Sequence, residues 1–249
     1  MKTNYRISHQ SERVSEIYDE VLYRPGTYDD ALWQEEKRVL QRELSQLEKD
    51  VANISYLDFA CGTGRLLSFL EDRVNEAVGV DIAEEMLGRA RKIVHRARVI
   101  RADSTREDPL AGEVFDFITA FRFFLNAEPA LREEAMAVLA GKLRDGRSEL
   151  VFNIHGNLWS HRIITKVWLM MRAKRLSAST KHEMEQLAKR HGLCVTRWYG
   201  IGILPKILYR LFGSSGMCKL DGALLRLPGA RYIAYDLIFV CKKKSSAVG

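Results

Sequence analysis

Two acidic residues, Asp58 and Asp81, flank a glycine-rich turn, and their types suit a ligand that carries an amino group. An apolar run from Ile54 to Phe59 contains Asp58, and the small residues of Ala60–Gly64 follow it. Small residues allow the backbone to turn sharply and to approach a ligand closely. The first amides of a helix after the turn favour an anionic group such as a carboxylate. The stretch therefore predicts a strand, a ligand-binding turn and a helix.

A dinucleotide is the alternative ligand for such a turn. Dinucleotide-binding turns have three glycines in the pattern G-x-G-x-x-G. Here Gly62 and Gly64 are followed by Leu67 at the third glycine position, and Ala60 stands two residues before Gly62. Asp58 would also bring a carboxylate towards the pyrophosphate. The turn therefore suits a ligand with an amino group better than a dinucleotide.

The stretch from Leu57 to Gly64 resembles the first motif of the class I S-adenosylmethionine-dependent methyltransferases, with Ala60 in place of the usual first glycine. Gly79–Leu87 resembles the second motif of this family, and Ala102-Asp103 a third. The resemblance covers residues 54–155 by motif and the remainder by the order of elements. It implies S-adenosylmethionine as cofactor and S-adenosylhomocysteine as product. The cofactor-binding residues that it implies are Asp58, Ala60, Cys61, Gly62, Thr63, Gly64, Asp81, Ile82, Met86, Ala102, Asp103, Ser104 and Phe121.

Asp81 ends the second predicted strand, near the spacing of about 20 residues at which an acid meets a ribose. Its carboxylate can accept hydrogen bonds from both ribose hydroxyls; helix capping is the alternative role. In the family, Met86 stands where an apolar side chain lies near adenine, and a core position is the alternative. Asp103 is implied to accept from the adenine amino group. Asp116 is expected to be structural.

The candidates for catalysis and substrate binding follow the fourth and fifth predicted strands. His155 lies just beyond the fifth strand, and its pKa near neutrality suits a general base; a hydrogen-bonded bystander is the alternative. Arg122 can pair with an anion of the substrate or form a surface ion pair. The remaining substrate candidates are Asn126, Tyr18 and Tyr23, with Tyr28 and Trp33 as further aromatic residues of an N-terminal cap. No metal-ligating constellation is present in the sequence.

The order of predicted elements indicates an α/β fold with a doubly wound, seven-stranded, mostly parallel sheet and an antiparallel last strand. We expect residues 1–50 to form an N-terminal helical cap and residues 51–249 the catalytic domain. Two insertions are expected, at about 156–180 and 201–229. In the first, residues 158–176 predict a basic amphipathic helix that lies on a membrane surface or covers the substrate pocket; a solvated face over an ordinary core is the alternative.

The composition narrows the choice of partners. The chain is 47% hydrophobic and 29% charged, with a net charge of +7, and a basic balance favours nucleic acid, anionic lipid or an acidic substrate. The four cysteines are scattered, which fits a reducing cytoplasm. The N-terminus has no apolar region typical of a signal peptide. We therefore expect a cytoplasmic protein, with membrane association through the basic insertion, and no DNA partner.

The function predicted from the sequence is methyl transfer to a small-molecule or a lipid- or glycan-linked acceptor. O-methylation is expected first and N-methylation second. The chain reads Phe121-Arg-Phe-Phe124 where N-methylating relatives carry Asn/Asp-Pro-Pro-Tyr/Phe, which argues against N-methylation of adenine or glutamine. The pathways that such enzymes serve are the biosynthesis of secondary metabolites, quinones or surface glycans. An RNA methyltransferase is the first alternative, and a dinucleotide-binding Rossmann protein the second.

Overall fold

The structure is a computed structural model that describes residues 26–47, 49–50, 53–160, 163 and 179–244. Tyr18, Tyr23, the predicted helix over 8–24 and most of the predicted helix over 158–176 lie outside the described residues. Among the helices that are described, none has the length and apolar character needed to cross a membrane.

Seven strands form one sheet in the order β3-β2-β1-β4-β5-β7-β6. β7 runs antiparallel to both of its neighbours, β5 and β6, and the other neighbouring strands are parallel. This arrangement confirms the predicted fold class. The strands are β1 Ser55–Phe59, β2 Glu76–Asp81, β3 Arg98–Arg101, β4 Phe117–Ala120, β5 Glu149–Ile154, β6 Leu193–Ile201 and β7 Asp236–Lys243.

Helices cover both faces of the sheet, and each face has its own apolar core. The core on one side includes Leu40 of helix α1, and the core on the other includes Leu139 of helix α4. Numbered along the described residues, the helices are α1 Tyr28–Gln46, α2 Arg65–Leu70, α3 Glu84–Ile93, α4 Pro129–Lys142, α5 Lys181–Arg190, α6 Lys206–Phe212 and α7 Ser214–Leu224. Short 3-10 turns occupy Glu71–Arg73 and Ala230–Ile233. The predicted start of α5 is confirmed, since Thr180 and Glu183 form a capping box.

The strand order reverses at β1, which pairs with β2 on one side and with β4 on the other. In a doubly wound sheet, a crevice opens beyond the carboxyl ends of the strands at this point. The turn Ala60–Gly64 leaves β1 there, and Phe121 and Arg122 leave β4. The topology therefore brings the first motif and the segment after β4 to one place.

Side-chain contacts explain where two elements end or begin. Helix α3 ends at Ile93, because the Glu71 carboxylate accepts hydrogen bonds from the backbone amides of residues 95–97. The last strand begins at Asp236. Asn157 Nδ2 donates to the carbonyl oxygens of residues 232 and 234, which holds the segment before this strand in a turn outside the ladder.

Candidate functional site

The turn after β1 is held in shape by Asp81 at the end of β2. Asp81 Oδ2 accepts from the Gly62 amide and Asp81 Oδ1 from the Ala83 amide, both at 2.8 Å. The second contact is made to Ala83, the residue that precedes α3, so it orders the turn between β2 and this helix. A carboxylate oxygen accepts more than one hydrogen bond, and Asp81 also lines the cleft. The ribose role therefore stays a prediction that is compatible with these contacts.

The backbone of the turn is left-handed at three positions. Gly62 and Gly64 have φ of 55° and 81°, and Ala60 has φ of 56°. Ala60 thus keeps the conformation of the glycine that the family usually has, at the steric cost of a Cβ. Gly64 does not line the cleft; a Cβ there would lie 2.8 Å from Ala90 Cβ, so this glycine allows α2 to begin close to α3.

Asp58 lies in β1 below the turn and is 2% exposed. Thr119 Oγ1 donates to Asp58 Oδ1 at 2.7 Å, and Tyr56 OH lies 2.7 Å from Thr119 Oγ1. Burial raises the pKa of the Asp58 carboxyl to about 7, against the lowering effect of the Thr119 hydrogen bond. Asp58 Oδ2 is buried and has no hydrogen-bond partner among the described residues. A buried acceptor without a donor is costly, so this atom suits a cationic donor in the cleft.

The opposite end of the cleft is formed by the segment after β3. Asp103 Oδ1 accepts from Thr105 Oγ1 at 2.6 Å, which orders the loop. Ser104 Oγ lines the cleft nearby and, within the described chain, is buried with no hydrogen-bond partner. Met86 also lines this cleft, and its Sδ lies 3.6 Å from the place of a Cβ on Gly62. The polar groups of Asp103 and Ser104 suit the edge of an adenine ring, and the apolar Met86 side chain suits its face.

The cleft encloses about 1060 Å³ of space, part of which is open to solvent. Twelve of the thirteen predicted cofactor residues line it; Gly64 does not. Among the predicted catalytic and substrate residues inside the described chain, Arg122 lines the cleft. Further lining residues, which the sequence analysis did not single out, are Phe59, Arg65, Leu66, Val80, Thr105, Phe123 and Leu131. Arg65 could have been identified from the sequence as a lining residue, because it directly follows Gly64 of the turn.

Arg122 forms a partly buried ion pair rather than a surface one, and 16% of its side chain is exposed. Its Nη2 donates to Glu36 Oε1 at 3.0 Å, and Glu36, on α1, is fully buried. Arg65 Nη2 lies 3.7 Å from Glu36 Oε2, and its guanidinium lies 4.3 Å from the centre of the Trp33 ring. Helix α1 therefore reaches both arginines of the cleft wall. Trp33 contacts the cleft wall through the Arg65 guanidinium.

A second carboxyl group, that of Asp236 at the start of β7, lies beside Glu36 and is buried. Burial and the negative charge of Glu36 raise the pKa of Asp236. Asn153 connects this group to the cleft wall: its Nδ2 donates to Asp236 Oδ2 at 3.1 Å, and its Oδ1 accepts from the Arg122 amide at 2.7 Å. This contact holds Arg122 at a left-handed φ of 62°.

Three predicted residues, named below, do not line the cleft. His155 is half-buried beyond β5 and does not line the cleft, so its role as a base stays a prediction. Asn126 also lies outside the lining; its Nδ2 donates to the Arg122 carbonyl oxygen at 2.8 Å, so it supports the segment that carries Arg122. The Tyr28 ring packs at 4.9 Å from the Tyr209 ring, away from the cleft. Cys61 does line the cleft, and burial raises the pKa of its thiol.

The residues of the cleft fit S-adenosylmethionine. Asp58 Oδ2 and Ser104 Oγ, which are both buried and have no hydrogen-bond partner among the described residues, occur in the two motifs implied to hold the amino-acid tail and the adenine. Asp81 lies in the motif implied to hold the ribose. Within the part of the chain that is described, no group of three or more His, Cys, Asp or Glu side chains is arranged to hold a metal ion.

Comparison with known proteins agrees with this geometry. Residues 57–146 match a protein family described as "Methyltransferase domain". No curated protein matches the chain. Among solved structures, magnesium protoporphyrin IX methyltransferase from Synechocystis with bound S-adenosylhomocysteine is similar, with a TM-score of 0.62, 12% identity, and coverage of 93% of this chain and 99% of that chain. The same enzyme has been solved with S-adenosylmethionine.

Two further structures resemble this chain at a similar level. An S-adenosylmethionine-dependent methyltransferase from Clostridium acetobutylicum has a TM-score of 0.61 at 14% identity and covers 93% of this chain and 98% of its own. One from Archaeoglobus fulgidus has a TM-score of 0.57 at 16% identity and covers 84% and 94%. At such identities the likeness shows the fold, and the domain match covers residues 57–146. Together, the matched domain and the fold support a class I S-adenosylmethionine-dependent methyltransferase.

Proposed function

We propose that the cleft transfers a methyl group from S-adenosylmethionine to a small-molecule acceptor or to a lipid- or glycan-linked one, at an oxygen or nitrogen atom. In this proposal the α-ammonium group of the cofactor meets Asp58 Oδ2, and its ribose hydroxyls meet Asp81. Ala102, Asp103 and Ser104 receive the adenine edge. The buried, unsatisfied oxygen of Asp58 supports the orientation, because a cation is the partner that this atom lacks.

The residues of the chain bind, orient and exclude water. S-Adenosylmethionine supplies a sulfonium whose methyl group is already activated for transfer. Placing an acceptor in line with that methyl group can therefore account for much of the rate, on the order of 7 kcal/mol or more by proximity and orientation. Phe121 and Phe123 are buried in the cleft wall and offer an apolar surface to an acceptor. A general base is required only for an acceptor that must lose a proton, and His155 is the proposed candidate.

The observation that most favours a compact acceptor over RNA is that the two cleft arginines share one carboxylate. Arg65 and Arg122 both face Glu36, so a buried carboxylate offsets part of the positive charge of the cleft wall. RNA binding relies on unpaired cationic side chains along a phosphate path. Helix α1 packs beside this wall through Glu36. This position supports the proposed division into a cap over residues 1–50 and a catalytic domain over residues 51–249. RNA remains the alternative because the net charge is +7.

Radiolabelled methyl donor distinguishes these acceptors. The protein is incubated with labelled S-adenosylmethionine and with separated cell fractions: small molecules, extracted lipids with lipid-linked glycans, and total RNA. We expect label in one of the first two fractions and none in RNA; label confined to RNA would contradict the proposal. Calorimetry tests the site itself, and we expect S-adenosylhomocysteine to bind and NADH not to bind. A variant with Asp58→Asn serves as the control with an impaired cofactor site.

His155→Ala tests the proposed base once the acceptor is known. If His155 removes a proton from the acceptor, the variant loses turnover while its affinity for S-adenosylhomocysteine stays unchanged. Full turnover in the variant would remove His155 from the reaction. Asn126→Ala is a useful comparison because this residue also lies outside the lining but supports the backbone of Arg122.

A further inference from the structure

The segment between β6 and β7 displays an unusual number of apolar side chains. Leu211 and Phe212 of α6 are 66% and 67% exposed. We name residues 206–233 the insertion surface. Its large exposed apolar side chains are Ile207, Leu211, Phe212, Leu220, Leu227, Tyr232 and Ile233, and the other described residues contribute only Ile93, Trp159 and Ile163 to this class. Clustering of this kind marks an interaction site, whereas scattered single residues do not.

The orientation of α6 is fixed by its inner face. Tyr209 is buried, and its ring packs 4.9 Å from the Tyr28 ring of α1. Ile207 and Leu211 are each two residues from Tyr209, so they point to the opposite side of the helix. The exposure of these side chains is therefore a consequence of how the helix is anchored, and they have no core to join within the described chain.

The exposed charges of the insertion surface are all positive. Asp221, its acidic residue, is buried and accepts from the amides of residues 203 and 204, so it does not reach the surface. The exposed charged residues are Lys206, Arg210, Lys219, Arg226 and Arg231. Lys206 contacts Asp29, and the Arg231 guanidinium lies 4.3 Å from the centre of the Trp198 ring. Arg210, Lys219 and Arg226 are exposed and form no ion pair with another described residue. Aliphatic side chains beside unopposed cations complement a lipid surface with anionic head groups.

The insertion surface also belongs to the cleft side of the molecule. β6 runs parallel to β5, because both are antiparallel to β7, so the chain leaves β6 at the same edge as the turn after β1. Helix α1, which contacts α6 through Tyr28, carries the Glu36 that binds Arg122 of the cleft wall. A surface lying against lipid here would place the cleft edge near the head-group region.

We propose that the insertion surface binds the anionic face of a lipid bilayer, with Leu211 and Phe212 entering the head-group boundary and the basic residues contacting lipid phosphates. This goes beyond the proposed function, since binding to a bilayer needs no acceptor and no turnover. A failure of vesicle binding would leave methyl transfer untouched, and a failure of methyl transfer would leave vesicle binding untouched. The occupant is thus a bilayer rather than RNA or a second copy of this chain.

Co-sedimentation of the full chain with vesicles tests the proposal. We expect binding to vesicles of phosphatidylcholine with phosphatidylglycerol, and weaker binding to phosphatidylcholine alone. The double variant Leu211→Ser, Phe212→Ser should reduce the partition coefficient about tenfold or more, because both apolar contacts are lost. Ile93→Ser is the matched control, since Ile93 is an exposed apolar residue on α3. It should bind like the parent chain.

The electrostatic part is tested with Arg210→Gln and Lys219→Gln together. This variant should lose the preference for phosphatidylglycerol and the salt dependence of binding, whereas Lys92→Gln with Lys189→Gln, at exposed positions elsewhere, should keep both. Thermal unfolding of every variant checks that the fold persists. Equal vesicle binding by the serine double variant and the parent, or no binding by the parent, overturns the proposal. So does concentration-dependent self-association, or retention of RNA, that is abolished by the serine double variant.

Discussion

Replacing Asp58 with Asn isolates the charge of the buried carboxylate below the glycine turn. The amide keeps the size of the side chain and an oxygen that can accept from Thr119 Oγ1, a bond of 2.7 Å in the parent chain. The pKa of Asp58 rises from 3.8 to about 7. Since one pKa unit corresponds to about 1.4 kcal/mol, the ionised carboxylate lowers the stability of the unliganded protein by about 4 kcal/mol.

The sign of the pH dependence follows from proton linkage. A carboxyl whose pKa is raised by folding binds more protons in the folded state, so its contribution to stability is fully present below pH 3.8. That contribution is lost as the pH rises to about 7 and is constant above it. The stability of the Asp58→Asn variant relative to the parent should therefore increase between these two values. Urea unfolding at a series of pH values measures this difference.

Cofactor binding should respond in the opposite direction. A cationic α-ammonium group needs the ionised carboxylate, so the parent chain should bind S-adenosylhomocysteine about tenfold more weakly for each pH unit below the pKa of about 7. The Asp58→Asn variant should bind more weakly at pH values above 7, by about tenfold or more for a lost charged hydrogen bond, and without this pH dependence. Calorimetry in buffers of different ionisation enthalpy should detect proton release by the parent below pH 7 and none by the variant.

Asp116, directly before β4, provides a control because its pKa shift has the opposite sign to that of Asp58. Asp116 Oδ1 accepts from Lys49 and Arg144, and the pKa of Asp116 is lowered to about 2 although partial burial opposes this shift. Its contribution to stability is present above pH 3.8 and lost as the pH falls towards 2. Asp116→Asn should therefore destabilise the protein at neutral pH and leave cofactor binding unchanged. If Asp58→Asn changes neither the affinity for S-adenosylhomocysteine nor the pH profile of stability, the role assigned to Asp58 is refuted.

Three further substitutions test the geometry around the turn. Asp81→Ala should weaken S-adenosylhomocysteine binding at least about tenfold by calorimetry, since the lost contacts are to the ribose hydroxyls. The affinity for a 2′,3′-dideoxy analogue should stay nearly the same as in the parent. Equal losses for both ligands would indicate that Asp81 acts only by holding the Gly62 and Ala83 amides in the turn. Ala60→Gly should raise the unfolding free energy by about 0.5–1 kcal/mol in urea titrations, because Ala60 is held at φ of 56°. Gly79→Ala should lower the free energy of unfolding by about 1–3 kcal/mol, because the new Cβ would lie 2.6 Å from Leu67 Cδ2. Gly88→Ala in α3 is the control; it should be neutral or stabilising, because no atom lies within 4 Å of its Cβ position.

Much of the lining of the cleft could be predicted because its residues lie close to the ends of consecutive strands. Asp58, Asp81 and Asp103 each stand at or near the carboxyl end of a parallel strand, and the topology of a doubly wound sheet brings such ends together. One short apolar run and one turn therefore determine where each carboxylate lies. The boundaries of helices and strands are less predictable, because the side chains that set them, Glu71 at the end of α3 and Asn157 before β7, act on backbone groups that are distant in sequence.

The charged wall of the cleft could not be predicted, because its charges pair between residues that are far apart in the sequence. Glu36 occurs within the charged run Glu35–Arg38, which is typical of a solvated helix face, yet the structure buries it against Arg65 and Arg122. The left-handed conformation at Arg122 has no signal in the sequence, since it depends on the hydrogen bond from the Arg122 amide to Asn153.

The burial of Glu36 changes how the net charge of +7 is to be interpreted. Arg65 and Arg122, which line the cleft, share its carboxylate, so part of their positive charge is offset there. Other cationic groups are exposed on surfaces such as the insertion surface, where Arg210 and Lys219 lie among aliphatic side chains. A basic protein whose cleft arginines share a buried carboxylate, and whose exposed cationic groups border an apolar face, favours an anionic partner of the surface over an anionic acceptor. The charge that suggested RNA in the sequence therefore argues more strongly for a lipid interface at the edge where the acceptor must enter.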